Sequence, residues 1–548
     1  MKRIALVLVV ALLSGCASIP YSSRLTVVEE VSSSAGANPV RVIARPPSAS
    51  MTPDELINGF IAAQASISDD FAIARKYLTT AAARTWHPKT IHLIDVGRTQ
   101  TASVGPLFTN VSIQVLGTVD KTSRLAWSDS PRTLTDMFTL VETDKGLRIS
   151  EAPNRAFMSP LDFTRNYVAV SVYMLSQDFS SLVPDVVWLA EGDASSATRL
   201  GDILLAGPAG ALKTAVASAI PNGTRLSPAA VTVMDRQASV NLDSTALQVT
   251  DAQRQAMLAQ ITWTLTSLDG VDSVRITVAN QPVSTTQLVF TRNQFDVWVS
   301  DNNSLARPLF SVTDGVAVRG TREIKAELGV LPSAQSLAVT GDGAQLAFVS
   351  SGRAFVAPVT ALSERVEVLA DVVDIDFDAR KRLWLVTTQG ELWVQDGVRP
   401  AQQVLGVPDG QRVIAMSNAP DGARAAVVME TPAGRVVRIF GVNTSGTTVA
   451  LTSSLRIDQS LTTVSDVAWL DNLQVLVVGQ RGVEEPSVFR INLLSTQPMP
   501  MGGPSGIAQL TATYGQPPAV LTSQGMLWVL GSNQWQSVRS ASAIAYAG

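Results

Sequence analysis

The C-terminal half of the chain repeats itself with a period of about forty residues, and that repeat narrows the possible architectures more than any other feature. The segment Ser336-Leu337-Ala338-Val339-Thr340-Gly341-Asp342-Gly343-Ala344-Gln345-Leu346-Ala347-Phe348-Val349 returns as Asp374-Ile375-Asp376-Phe377 with Arg382-Leu383-Trp384-Leu385-Val386. It returns again as Met416 to Val428, around Pro420-Asp421-Gly422-Ala423-Arg424, and then as Asp466-Val467-Ala468-Trp469 with Gln474 to Val478. A weaker copy begins near Ile507 and reaches Met526-Leu527-Trp528-Val529-Leu530. Each copy reads as a strand, an Asp-Gly-like turn, a second strand, a turn such as Gln389-Gly390 or Gln524-Gly525, and a third strand; the polar remainder is long enough for a fourth. Four short antiparallel strands per forty residues or so is the period of a β-propeller blade. One such sheet cannot bury both faces alone, so blades stack in a ring that has to close. Pro308 to Leu328 holds a blade lacking one strand, and Ala541 to Ala547 is a spare strand. The tail is therefore expected to complete the first blade, giving six blades, with five or seven as the alternatives.

A chain of 548 residues also exceeds what one core normally holds, so further domains precede the repeats. The N-terminus opens with Met1-Lys2-Arg3 and an apolar run from Ile4 to Leu13, too short for a permanent membrane span and shaped like a signal-peptide core. Leu13-Ser14-Gly15-Cys16 closes it. This tetrad matches the bacterial lipobox, in which the cysteine thiol takes a diacylglycerol before cleavage on its N-terminal side. Residues 1–15 then form a lipoprotein signal peptide, and Cys16 becomes the lipidated first residue of the mature chain. Acyl chains such as palmitate would hold it to a membrane, each buried methylene contributing roughly 0.8 kcal/mol. The alternative is an ordinary secreted protein in which Cys16 is incidental.

Cys16 is the only cysteine, which excludes an intramolecular disulfide and any thiolate metal cage. The formal net charge is −4 with no basic stripe, so no nucleic-acid partner is expected. His87 and His92 are the only histidines, and no carboxylate cluster beside them completes a metal site. We expect no metal and no cofactor, and read both histidines as structural.

Residues 16–39, rich in Ser and Ala, have the composition of a flexible tether. Arg41 to Arg45 reads as a short strand. A first folded domain spans 40–155. In it Thr52-Pro53-Asp54-Glu55 supplies an N-cap hydroxyl, a first-turn proline and a capping carboxylate, and Leu56, Phe60 and Ala63 give the helix an apolar face. A second helix is expected from about Phe71 to Trp86. The period then changes to two, in Ser112 to Val119 and Met137 to Val141, with a hairpin turn at Asp144-Lys145-Gly146. Helices ahead of a curved antiparallel sheet resemble the NTF2-like α+β cone.

A second domain, 156–290, alternates strand and helix. Val168 to Leu175 and Pro184 to Leu189 read as strands. A helix leads to Leu204-Leu205-Ala206-Gly207-Pro208, and another is expected through Leu212, Val216 and Ala219 up to Ile220-Pro221-Asn222-Gly223-Thr224. Ala238 to Asp243 alternates. Thr250 and Gln253 cap a helix whose Met257, Ile261, Leu265 and Leu268 share a face, with Gly270 as its C-terminal cap, before a last strand, Val274 to Val278. The Gly-Pro and Pro-x-Gly marks and the strand ending Asn241-Leu242-Asp243 resemble the GerMN domain, a binding or scaffolding module with no catalytic residue to carry over.

In the propeller, 291–548, Asp374, Asp376 and Asp378 alternate along one strand and share a face. The pattern fits either a carboxylate pair for acid/base work or ion binding, or a polar lining for a central channel. With no histidine in this half and no second acid cluster recognised, the channel lining is the reading adopted, and no catalytic residue is assigned. Trp384, Trp393, Trp469 and Trp528 are read as fillers between blades.

The fold class is thus multidomain and mainly β: an NTF2-like α+β domain, an α/β-alternating GerMN domain and a C-terminal β-propeller. This order, together with Gly15-Cys16-Ala17-Ser18-Ile19-Pro20 and the segment Arg45-Pro46-Pro47 through Phe60, resembles the LpqB family of actinobacterial lipoproteins. The resemblance implies a non-enzymatic lipoprotein outside the cytoplasmic membrane. Its implied partner is the extracellular domain of the sensor histidine kinase of the Mtr two-component system, whose output it tunes. The rival readings are a cell-wall glycan- or peptide-binding protein and a propeller hydrolase. A Ser-His-Asp relay is disfavoured because both histidines fall in the first domain.

Overall fold

The computed structural model describes residues 45–283, 287–299, 307–320, 326–331, 333–446 and 448–548. The leader, Cys16, the expected tether and the expected strand as far as Ala44 lie outside the described residues. Among the described residues no helix is long and apolar enough to cross a membrane.

The first domain begins as its caps dictate. The helix Pro53–Ala63 starts on a reciprocal capping box, in which Thr52 Oγ1 accepts from the Glu55 amide (3.3 Å) and the Glu55 carboxylate accepts from the Thr52 amide (2.9 Å). Its Leu56, Ile57 and Phe60 are fully buried, and Phe60 meets Trp86 and Phe138 edge-on. They pack on a five-stranded sheet in the order Gly146–Glu151, Leu125–Thr143, Phe108–Val119, Ile91–Gly105 and Ala156–Met158. Every pairing is antiparallel except the last. Ala156–Met158 therefore belongs to this sheet, just past the domain edge expected at 155.

The single helix expected from Phe71 to Trp86 is two short ones, Ser68–Arg75 and Thr80–Thr85. Between them the chain joins the sheet: Leu78 bridges Ile149, whose amide donates to Tyr77 O and whose carbonyl accepts from the Thr79 amide. Backbone groups spent on the sheet cannot continue a helix, and Thr79 caps the next one.

In the second domain Tyr167–Ser176 lies between Leu182–Ala190 and Val216–Ala217. Gln237–Leu242 and Ser273–Val278 pair in parallel across the helix Asp251–Leu265. Three expectations are corrected here. No helix runs through Leu212 to Ala219; a single 3-10 turn, Gly210–Leu212, is followed by Val216–Ala217, which pairs with Leu175–Ser176. Gly210 holds φ +57, a left-handed conformation that breaks a regular helix start. Gly270 does not cap the long helix, which ends at Leu265: Thr266 donates its amide and its hydroxyl to Thr262 O. Gly270 instead occupies the turn before Ser273–Val278. Finally, Leu268 lies past the helix end, while Met257, Ile261 and Leu265 are buried as expected and the burial spreads beyond their face. Ala256 through Thr262 are all buried, because sheet, helix and the turn Arg292–Trp298 enclose it. Phe290 and Phe295 join the same core, so the domain runs on past 290.

Among the described residues the repeats form six four-stranded antiparallel sheets in succession. Blade one takes its innermost strand, Ala543–Tyr546, from the far end of the chain, antiparallel to Leu309–Val312. Blades two to six begin with the inner strands Ala334–Val339, Val372–Phe377, Arg412–Asn418, Leu461–Asp471 and Ile507–Thr511. Neighbouring blades share their cores. Trp384 and Val386 of blade three pack with Met416, Val427 and Met429 of blade four, all nearly solvent-free. The apolar alternation of each strand is thus satisfied on both faces.

Candidate functional site

The six inner strands surround a cavity of about 470 Å³. Period-two alternation turns every second residue of each inner strand toward it. Blade three contributes Asp374 and Asp376, and blade five contributes Asp466. Each carboxylate reaches the next blade. Asp374 accepts from the Met416 amide (3.2 Å), Asp376 from the Asn418 amide (2.6 Å) and side chain (3.1 Å), and Asp466 from the Leu510 amide (2.6 Å).

Other polar side chains continue the lacing. Ser417 of blade four accepts from the Trp469 amide (3.3 Å), and the Trp469 indole donates back to Ser417 O (3.1 Å). Gln509 and Thr511 of blade six accept from the Ile544 and Tyr546 amides of the closing strand (3.2 and 3.0 Å). Gly548 donates to Val339 O of blade two (3.3 Å), and the Ser336 hydroxyl bonds Asp374. Every junction between neighbouring inner strands therefore carries a side-chain or main-chain hydrogen bond.

Desolvation dominates the three acids and pushes them toward the neutral form. Burial lifts Asp376 to about 8 against the pull of Asn418, with repulsion from Asp374 adding to it. Asp374 and Asp466 also rise through burial, and Asp466 is raised further by the charge of Asp374. Asp378 leaves the shared face expected for it. It is buried in the turn, where it accepts from Arg382 Nε (2.7 Å), Trp384 Nε1 (2.9 Å) and the Arg380 and Arg382 amides. At the mouth Lys381 pairs with Asp342 (2.6 Å), which holds that carboxyl down at about 2.

The second domain covers this mouth through Ser180, Ser181, Val297 and Val299. Arg380 pairs with Asp178 (3.0 Å), and Gln177 bonds both Asn443 (3.0 Å) and the Thr444 amide (2.9 Å). A second set of contacts joins all three domains. Arg124 and Asp185, 4% and 5% exposed, form a buried pair through Nε (2.9 and 3.2 Å) and a second guanidinium nitrogen. Trp188 is part of the first domain's core, and its amide donates to Ser123 O (2.8 Å). From the propeller, Arg438 pairs with Asp129 (2.5 Å), Arg456 donates to Ser128 O (3.2 Å), and Gln459 donates to Leu116 O.

This arrangement is a polar channel lined by three carboxyls from two blades. Each channel acid accepts from a backbone amide of the next blade. His87 is exposed, and His92 is buried in the first domain, where desolvation and then Arg155 and Arg132 hold it down at about 4. Among the described residues no group of three or more His, Cys, Asp or Glu is placed to hold a metal ion. Of the tryptophans, Trp384 and Trp469 are buried between blades, while Trp393 and Trp528 are half-buried. Cys16 lies outside the described residues. Sequence reasoning missed Asp466, although its repeat aligns Asp466-Val467-Ala468-Trp469 with Asp374-Ile375-Asp376-Phe377; the signal was the shared register.

Comparison with known families gives three consecutive matches. The family described as "Lipoprotein LpqB, N-terminal domain" matches residues 46–164, "Sporulation and spore germination" matches 171–284, and "Lipoprotein LpqB beta-propeller domain" matches 375–546. Proteins named Lipoprotein LpqB are similar over nearly the whole length. The Cutibacterium acnes protein is 25% identical, covering 93% of this chain and 91% of its own, and the Streptomyces coelicolor protein is 26% identical, covering 98% and 96%. The Mycobacterium tuberculosis protein is 29% identical over 49% of this chain and 47% of its own.

Proposed function

Because the chain belongs to the LpqB lipoprotein family, we propose that it is anchored by acyl chains on Cys16 at the outer face of the cytoplasmic membrane and acts there by binding. Its partner in this reading is the extracellular part of the sensor histidine kinase of the Mtr two-component system, whose output it modulates. The observation that carries the anchoring is Leu13-Ser14-Gly15-Cys16 behind a short basic and apolar leader. Confinement to the plane of the membrane raises the effective concentration of a membrane-bound partner, so a weak contact suffices. A buried ion pair between the first two domains, with the Arg438–Asp129 and Arg380–Asp178 pairs to the propeller, presents a preorganised surface with little ordering cost on binding. The commitment of the channel acids to backbone amides supports a binding rather than a catalytic role.

The test has two arms. Cys16→Ser should move the protein from the membrane to the soluble fraction, and retention of the variant in the membrane sinks the anchor. In-cell crosslinking read by mass spectrometry should connect the wild type to the kinase's extracellular domain; crosslinks confined to other envelope proteins sink the partner. A second reading, capture of a small wall glycan or peptide, draws on the polar channel of about 470 Å³. A glycan array distinguishes it.

A further inference from the structure

We propose that the channel carboxyls of blades three and five form a proton-dependent fastener, which holds the inner strands together while protonated and loosens them when ionised.

The argument rests on placement. Asp374, Asp376 and Asp466 come from two blades but face one cavity, and the hydrogen bonds they accept come from amides, the Asn418 side chain and the Ser336 hydroxyl. The groups around them leave these charges unbalanced. Among the described residues the inner strands of blades two, four and six present no ionisable side chain to the cavity: Ser336, Met416 to Asn418, and Gln509 to Thr511 line it there. On the closing strand Tyr546 donates its hydroxyl to Pro517 O (2.6 Å), and burial raises its pKa, so it stays neutral. Asp378 is matched by Arg382 in its own turn. At the mouth Lys381 pairs with Asp342, Arg307 donates to Thr513 (2.7 Å), and Asp178 of the second domain pairs with Arg380.

Three like charges in one protein-walled cavity repel and are poorly solvated. Protonation removes both costs while leaving each carboxyl an oxygen for the neighbouring amide. All three residues are half-buried rather than sealed, which softens the penalty without changing its direction. The upward shift of all three groups agrees with this placement. An opened channel lets bulk water solvate the carboxylates, so rising pH drives opening. These acceptors bridge blade three to four and blade five to six, so those junctions loosen first.

The test is hydrogen exchange on the full-length chain, corrected for intrinsic rates, from about pH 5 to about pH 9. The opening constants of Val372–Phe377 and Leu461–Asp471 should rise with pH, by up to about tenfold per pH unit for each group that ionises on opening. The double variant Asp376→Asn/Asp466→Asn keeps an acceptor oxygen at each site and should flatten the rise; Asp342→Asn, at the rim, should leave it intact. A flat wild-type profile, or an unchanged slope in the double variant, overturns the proposal. Should the double variant fail to fold, infrared spectra of the wild type decide: a protonated-carboxyl band must be present at neutral pH and fade toward about pH 9, and its absence overturns the proposal.

Discussion

Asp185 and Asp376 are aspartates withdrawn from bulk water in opposite company. At the domain junction Asp185 meets Arg124, a partner bearing full opposite charge in bidentate geometry. In the channel Asp376 meets only the amide and side chain of Asn418, with Asp374 beside it on the same strand. The first arrangement ties two domains together with a pair that neither partner can leave cheaply. The second ties two blades together with a group whose charge state is open to change. Burial pushes both carboxyls up; at Asp185 the full charge of Arg124 opposes the push, whereas at Asp376 only the Asn418 amide and side chain do and Asp374 adds to it, so the charge of the partner separates a rivet from a titratable clasp.

The largest effect expected on the channel side comes from cutting the ring itself. Deleting residues 541–548 removes Ala543, Ile544, Ala545 and Tyr546, all buried, at a cost of at least about 3 kcal/mol in lost apolar burial, and exposes the edge of Leu309–Thr313. The propeller should lose its cooperative melting transition in calorimetry, and an unchanged transition would show that blade one closes without the tail. On the junction side Arg124→Ala strands a buried carboxylate and should destabilise the protein by about 3–5 kcal/mol in denaturant titration, whereas Arg124→Met with Asp185→Leu should recover most of the loss. Failure of the double replacement to recover stability would mean that the pair does more than neutralise itself.

The pH dependence separates the two regions next. Asp376 has a folded pKa of about 8, above its unfolded value near 3.9, so its contribution is complete below about pH 4 and is lost as pH rises through about 8. The melting temperature of the propeller should fall over that window, and Asp376→Asn should reduce the fall. Asp342, held at about 2, has the opposite sign: it stabilises above about pH 4, and that contribution fades as pH drops through about 2. Its partner Lys381 is largely exposed, so Lys381→Ala should cost no more than about 1 kcal/mol, the smallest effect of the series. A larger loss in denaturant titration would show that the rim bears load.

Much of the architecture was legible in the sequence because it is written locally. Thr52, Pro53 and Glu55 announce a helix start within four residues, and the strand-turn-strand repeats, with Gly390 and Gly525 at positive φ in their turns, announce the blades. What the sequence hid is non-local. Nothing near Tyr77 signals that its carbonyl will serve Ile149 and so end a helix. The apolar spacing from Leu212 to Ala219 fits a helix until Val216–Ala217 finds a strand to pair with. Arg124 and Asp185 look like ordinary surface residues until two domains meet. In the candidate site alternation gives Asp374 and Asp376 a shared face and alignment with the Ser336 copy places them on the channel, whereas Asp466 becomes visible only when the same alignment is carried on to the fifth blade.

The route by which blade one is completed bears on how the chain matures. Leu309–Val312 is made before the other five blades, yet the strand it pairs with is made after all of them. Any product truncated within blades five or six leaves that early edge bare, a sticky template for sheet-to-sheet association or a handle for proteases. Circular closure thus doubles as an integrity check, passed only when the final strand reaches its place.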